Sequence, residues 1–330
     1  MRVTFARAIG SDFDQLGPQS GSLIMPLFSV IIPTYNRATL LARTLASVRA
    51  QTCTDYEVIV VDDGSTDDTL AVLRGFPGVQ VVTQNNRGPG AARNLGVHQG
   101  TGQYLAFLDS DDLWFPWSLE TYAAMLRAPS APSFLAGKPF RFRDETQLPT
   151  APDGSVASNS FPDYLASGDE WRWWGVSSFV IRADAFRAAG GFSEANINGE
   201  DADLALKLGE AAGFAQISNP VTFGYRDHDA NVTIDLNKSL AGGWHQVRTE
   251  QAGGYPGGAR RARERRRILT RSLRPLALDG LQRGARSEAW AIYRATFGWH
   301  LALARWKFLV GFPCQLFFGN RNPTSNALLV

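Results

Sequence analysis

The sequence has little cysteine: Cys53 and Cys314 are the only two in 330 residues, and they lie far apart. Thiols so spaced form no redox pair, no zinc-ligand spacing and no disulfide framework, and such usage suits a reducing compartment. No apolar run is long enough to span a bilayer. The N-terminus lacks the apolar core of a signal peptide, because Arg2, Arg7, Asp12 and Asp14 interrupt it. Excess charge of one sign is missing too: 33 basic residues against 31 acidic leave +2, so the molecule as a whole carries no field that would gather a polyanion. No GxGxxG follows a strand and no GxxxxGK[ST] occurs, which removes the two commonest nucleotide-binding signatures. There are no internal repeats.

What remains is an ordinary globular composition, 44% hydrophobic, long enough for one large α/β domain or a domain with an appendage. Residues 1–26 form no clear element and read as a disordered leader, and Met25, just before the first apolar run, is expected to be the natural start. From there strands and helices alternate at short spacing. Phe28–Ile32 is a buried strand ended by Pro33, and Ala38–Arg49 is a helix with Leu40, Leu41, Leu45 and Val48 on one face. Tyr56–Val61 is a strand closed by Asp62, Asp63 and Gly64. Thr66–Arg74 is a helix capped by Ser65 or Thr66, Val79–Thr83 a strand, and Gly88–Gly100 a glycine-rich loop opening a helix. This alternation predicts an α/β fold with a mostly parallel sheet flanked by helices. Further on, Phe134–Ala136, Ser178–Ile181, Phe214–Ile217 and Val221–Tyr225 read as strands, with helices from Ala183 and over Ala202–Ala211. Thr146–Ser160 reads as a polar insertion. The expected division is 1–26 leader, 27–230 sheet domain and 231–330 helical extension.

The stretch around which the chain is organised is QYLAFLDSDDLWFP, Gln103 to Pro116. An apolar strand, Tyr104–Leu108, stops in three carboxylates, Asp109, Asp111 and Asp112. Unpaired buried carboxylates are too costly to continue a strand. They belong at its C-terminal end, where an open parallel sheet has its ligand crevice. Acids this close repel unless a cation sits among them, and oxygen-only ligands favour Mg²⁺ or Mn²⁺, which usually hold substrate phosphates. The plainer reading is that they cap a helix beginning near Leu113.

FSVIIPTYNR, VVDDGSTD, NRGPGAARNLG, FLDSDD and a later GED, in this order and spacing over about residues 27–230, resemble the inverting family 2 glycosyltransferases with the GT-A fold. The C-terminal third lies outside the resemblance. The resemblance implies a nucleotide-diphosphate sugar donor, a divalent metal and inversion at the anomeric carbon. Pro33, Thr34 and Tyr35 would then sit at the nucleotide, the Tyr35 ring stacking on the base unless it packs on the following helix. Asp63 would bind the base or a ribose hydroxyl, with Asp62 tying loop N–H groups, although the two are hard to separate. Arg87 and Arg93 border the glycine-rich loop, and Arg93 can reach a phosphate or a carboxylate. Asp109 and Asp111 match the family's D-x-D. Asp111 is assigned to the metal, Asp109 to ribose or metal through water, and Asp112 could take either role. Asp201 would be the general base removing the acceptor's proton, with Glu200 orienting it or touching the acceptor; the plainer reading of that pair is helix capping. His228 would reach the metal or the diphosphate, or simply pack, with Arg226 beside it. Trp173 and Trp174, with Trp171, could stack on an acceptor sugar or form core.

The chain beyond 230 is basic and then aromatic. An arginine run, Arg260 to Arg274, opposes one acid, Glu264, and Trp290–Phe318 mixes aromatics with Arg294, Arg305 and Lys307. That pairing suits a membrane surface, or helices packed on the sheet domain with a solvated basic face. A nucleic-acid partner ranks well below, since no recognised module accompanies the run. The expectation is an enzyme passing a sugar to a saccharide or lipid-linked acceptor in envelope or exopolysaccharide synthesis. It would be cytoplasmic or peripheral at the inner face of the membrane. The alternatives are a nucleotidyltransferase, which would want a Lys-bearing loop where Pro-Thr-Tyr-Asn-Arg stands, and a non-catalytic nucleotide-sugar-binding or scaffold protein.

Overall fold

A computed structural model describes residues 25–127, 130–168, 175–228 and 235–318. All but the last two residues of the expected leader lie outside these. Four strands open the fold: β1 (Phe28–Thr34), β2 (Tyr56–Asp62), β3 (Val79–Thr83) and β4 (Tyr104–Phe107). They pair in parallel in the order β3-β2-β1-β4. Helices α1 (Ala38–Arg49), α2 (Thr69–Arg74) and α3 (Pro89–Gln99) make the crossovers. Strands covered on both faces need apolar residues at every position, and β1 is buried throughout. Val30 and Ile32 join one core cluster with Leu41 and Leu45 of α1, while Ile31 joins the other with Ala92 and Val97 of α3.

The second half of the sheet is mixed. Its strands are β5 (Leu113–Trp114), β6 (Phe134–Phe142), β7 (Ala157–Phe161), β8 (Phe179–Arg182) and β9 (Phe214–Arg226). The order continues β4-β8-β6-β9-β5, with β7 also on β9. β8 is antiparallel to β4, while β6 and β9 are parallel to each other. Helices α4 (Ser118–Leu126), α5 (Tyr164–Ser167), α6 (Ala183–Ala188) and α7 (Glu200–Leu208) lie between these strands in the chain.

Several boundaries differ from expectation for physical reasons. Pro33 does not end β1; it sits within the strand, opposite Val61. No helix starts at Leu113, because Leu113 and Trp114 pair with Gly224 and Phe223 of β9, so the acidic cluster caps nothing there. The supposed insertion contains β7, whose polar sequence pairs along the edge of β9. The two short strands expected over 214–225 are one strand, with a cis Asn219–Pro220 bond inside it. α2 starts at Thr69 because the residues before it are tied to the first loop: Asn36 Oδ1 accepts from Thr66 N, and Asp67 Oδ2 accepts from Ala38 N. α7 starts at Glu200, after Gly199.

Past 230 come α8 (Leu236–Gln251), α9 (Ala262–Gln282), α10 (Arg286–Ala302) and α11 (Trp306–Phe318). Leu240, Val247, Ile268, Leu273 and Ile292 share one continuous core with Phe107, Phe186 and Leu204 of the sheet side. Part of the arginine run is engaged by acids of the fold. Arg261 grips Asp163 with two nitrogens, at 2.8 and 2.9 Å. Arg265, 3% exposed, pairs with the buried Glu250 at 2.6 Å, and Arg266 reaches the same carboxylate at 3.0 Å. No helix among the described residues is long and apolar enough to cross a membrane.

Breaking a buried pair on one side leaves an uncompensated charge. Arg265→Ala is therefore expected to lower the unfolding free energy by about 3–5 kcal/mol in urea denaturation, while Arg263→Ala on the exposed side changes it by less than about 0.5 kcal/mol.

Candidate active site

The C-terminal ends of β1, β2 and β4 share one edge of the sheet, and the predicted residues collect there. β4 runs out at Phe107, and Asp109, Asp111 and Asp112 follow in the turn before β5. One oxygen from each carboxylate lies within 4.8 Å of the others. Their neighbours differentiate them. Asp112 is 3% exposed and spends both oxygens inside: Oδ2 accepts from Ser177 Oγ at 2.6 Å, and Oδ1 from Arg226 N at 3.1 Å. The antiparallel run of β8 beside β4 places Ser177 here, and the β9–β5 pairing places Arg226. Asp112 thus knits the turn to two strands. Burial first, then the charges of Asp111 and Asp109, push its carboxyl well above the usual carboxylate range.

Asp109 and Asp111 are only partly buried, their side chains 32% and 21% exposed. Asp109 Oδ1 accepts from Arg93 Nη2 at 2.6 Å, and Asp111 Oδ2 lies 2.8 Å from Arg37 Nη1 and 3.1 Å from His228 Nε2. The other oxygen of each has no partner among the described residues. Burial raises Asp109, Arg93 offsets this, and Asp111 adds to the rise. A cluster of carboxylates within ion-binding reach, with its own charges pushing protons on, suits a hard divalent cation such as Mg²⁺ or Mn²⁺. Asp109 and Asp111 could hold it, with His228 beside them; Asp112 is already committed.

Arg93 joins this cluster to the second acidic pair. Its guanidinium, 4% exposed, donates through Nη1 to Glu200 Oε1 at 2.8 Å as well as to Asp109, and lies over the Phe192 ring at 5.1 Å. Glu200 and Asp201 open α7, the next turn of the same wall. Asp201 carries a carboxyl pushed up to about 6, by burial first and then by the charge of Glu200.

α7 is held from behind by the C-terminal helices. Asp203, fully buried, accepts from the Tyr255 hydroxyl at 2.7 Å, with Lys207 Nζ at 2.7 Å and His245 Nε2 at 3.3 Å. Burial, reinforced by the Asp203 charge, keeps the Tyr255 proton in place. Gln246 Nε2 donates to the Gly199 carbonyl at 3.1 Å. Gly242 of α8 lies so close to the loop before α7 that a Cβ would meet the Asn198 carbonyl at 1.8 Å.

At the β1 and β2 ends, Tyr35 stands 45% exposed. The Thr34 hydroxyl is buried with no partner among the described residues. Asp63 does not project freely. Its carboxylate accepts from Gln84 Nε2 at 2.6 Å, Arg87 N at 2.9 Å and Gly88 N at 2.8 Å. It holds the glycine-rich loop, where Gly88 has φ 89°, a conformation glycine adopts at no steric cost. Asp62 Oδ1 also accepts a loop N–H, from Ser65 at 3.1 Å. The Arg87 guanidinium pairs with Glu194 at the surface. Trp173 and Trp174 lie outside the described residues, as does Trp171.

Sequence reasoning missed Arg37, Ser177 and Asp203. Arg37 closes the PTYNR motif and so carried a signal. Ser177 and Asp203 owe their roles to partners distant in sequence.

Residues 29–176 match the family described as Glycosyl transferase family 2. Chondroitin synthase of Escherichia coli is 31% identical over 221 residues, 64% of this chain, and the match spans only 30% of that synthase. Validoxylamine A glucosyltransferase of Streptomyces hygroscopicus subsp. jinggangensis is 30% identical over 247 residues, 63% of this chain and 58% of the relative. Among solved structures, S. aureus TarS 1-349 in complex with UDP-GlcNAc superposes with a TM-score of 0.65 at 20% identity, covering 88% of this chain and 86% of that one. The mannosyltransferase PcManGT from Pyrobaculum calidifontis, in complex with GDP-Man and Mn²⁺, gives 0.54 at 20% identity over 90% and 82%. At such identity these two speak for the fold.

Tyr255→Phe removes the hydroxyl from a fully buried carboxylate. It is expected to cost about 1–3 kcal/mol of unfolding free energy in urea denaturation, a loss much larger than that of a typical surface substitution.

Proposed function

We propose, from the match of residues 29–176 to glycosyl transferase family 2, that the chain is an inverting enzyme of that family. It would transfer a sugar from a nucleotide-diphosphate sugar to a hydroxyl of a saccharide or lipid-linked acceptor. The observation that carries this reading is the Arg93 bridge. One guanidinium touches both Asp109, on the side expected to receive the donor, and Glu200, beside the expected base. Two acidic pairs 91 residues apart (109 against 200) thereby line one crevice, as a single displacement requires.

In this reading the exposed Tyr35 ring stacks on the base, and Thr34, whose hydroxyl is otherwise unpaired, offers it a hydrogen bond. Asp63 shapes the loop at residues 84–88 and meets the nucleoside with what capacity those bonds leave. A bound Mg²⁺ or Mn²⁺, held by Asp111 and Asp109 beside His228, would neutralise charge on the departing diphosphate. Asp201 takes the proton of the acceptor hydroxyl as its oxygen bonds to the anomeric carbon and the bond to the diphosphate oxygen breaks. The inverting glycosidases place a base in the same geometric sense. With a carboxyl near 6, Asp201 is ionised at neutral pH yet basic enough to accept a proton. Glu200, pinned by Arg93, orients it. Trp173 and Trp174 are proposed to meet the apolar face of the acceptor sugar. UDP- and GDP-sugars are the donors to try first, given the complexes of TarS and PcManGT. Polysaccharide synthesis is the setting that the name chondroitin synthase supports, and a place at the inner face of the membrane, in envelope synthesis, follows only if the acceptor is lipid-linked.

Asp201→Asn tests the base. Transfer is expected to fall by roughly 10²–10⁴-fold with donor affinity kept. In the unaltered protein the rate should decline as pH falls through about 6, the value to which Asp201 is raised, because only its ionised form accepts the proton. An unchanged rate in the variant removes Asp201 from the mechanism.

A further inference from the structure

Part of the arginine run that first suggested a membrane surface is engaged by acids of the fold, and among the described residues an exposed apolar face lies elsewhere. α11 packs inward through Phe308, Leu309, Phe312 and Leu316, the last two helices stacking Tyr293 on Phe312 at 5.0 Å. Its other side is also apolar. Trp306 is 59% exposed, Val310 and Phe317 64%, and Phe318 85%. Spacings of four and seven residues put the first three on one stripe. Phe297 and Leu301 of α10 are exposed as well. A helix apolar all round normally has something on both sides.

We propose that the α10–α11 hairpin lies on an anionic lipid bilayer, with Trp306, Val310 and Phe317 entering the headgroup boundary. The charge pattern selects this occupant. Between Glu288 and Phe318 there is no Asp or Glu, while Arg294, Arg305 and Lys307 are present, and Arg305, Trp306 and Lys307 are consecutive at the turn between the helices. Cations flanking an interfacial tryptophan match a surface of anionic headgroups over an acyl layer. A second copy docked face to face would instead bring like charges together with no acid to meet them. Lying on the surface also agrees with the absence, among the described residues, of any helix able to span. The inference deepens the lipid-linked acceptor reading and rests on it for its purpose, since such an acceptor is presented at a bilayer.

The test is sedimentation of the full chain with vesicles of phosphatidylcholine, with and without phosphatidylglycerol, at low and high salt. The protein is expected to pellet with the anionic vesicles and to be released by salt. The double variant Trp306→Ser/Phe317→Ser, at exposed positions and with an unchanged melting temperature, should partition at least about tenfold less, and Lys307→Glu about fivefold less or lower. No pelleting overturns the proposal, as does pelleting that the double variant leaves unaltered. Self-association in solution that the same double variant abolishes overturns it in favour of a second copy. Nucleotide binding measured on the same sample separates the two claims: vesicle binding without nucleotide binding sinks the transferase reading alone, and the converse sinks the surface alone.

Discussion

The arrangement of the site depends on one buried cation. Arg93 lies in the second turn of α3, almost sealed from solvent, with a carboxylate on each end nitrogen and the Phe192 ring against its plane. Burial alone would make its proton easier to lose, but the charges of Asp109 and then Glu200 more than reverse that. A guanidinium so enclosed cannot give up either partner cheaply, since a buried charge without its pair costs several kcal/mol. The D-x-D turn after β4 and the first residues of α7 are therefore fixed relative to each other, although one belongs to the parallel half of the sheet and the other follows it by a long excursion. The same bridge gives two neighbouring acids different characters. Glu200 is held by the Arg93 guanidinium, while Asp201, next in the chain, is raised by burial and by the charge of Glu200.

Behind that bridge the C-terminal helices act as a brace. Gln246 holds the Gly199 carbonyl, Tyr255 and His245 converge on Asp203, and Gly242 lets α8 sit directly on the loop before α7. The arginines of α9 keep the brace on the sheet domain through Asp163 and Glu250. The C-terminal helices are thus bound into the wall of the site, and among the described residues the last hairpin turns an apolar face outward.

How much of this was legible beforehand follows from what each feature needs. Strands buried on both faces need apolar residues at every position, so β1, β2 and β4 stood out as short runs. A cluster of acids ending such a run marks a crevice on chemical grounds alone, and Asp109, Asp111, Glu200 and Asp201 were found that way or through the resemblance. Features made by pairing partners distant in sequence were not legible. β7 is polar because it lies at an edge, β5 exists only because β9 runs beside it, and β6 continues through Lys138, Pro139 and Arg141 by pairing with β9. The same applies to roles. Asp112 looks like its two neighbours in sequence, yet Ser177 and Arg226 claim both of its oxygens. Asp63 looks like a ligand contact, yet the backbone of Arg87 and Gly88 occupies much of it. A charge-rich run looks solvated until Asp163 and Glu250 are seen beneath it.

The central claim is that a nucleoside diphosphate and a divalent cation meet at Asp109 and Asp111. Isothermal titration calorimetry with UDP, dTDP and GDP, each with and without Mn²⁺, measures this without an acceptor. The account predicts binding of one nucleotide that strengthens with the metal and loses that dependence in Asp111→Asn. No binding of any nucleotide to the folded protein, or binding indifferent to both metal and Asp111, would contradict it.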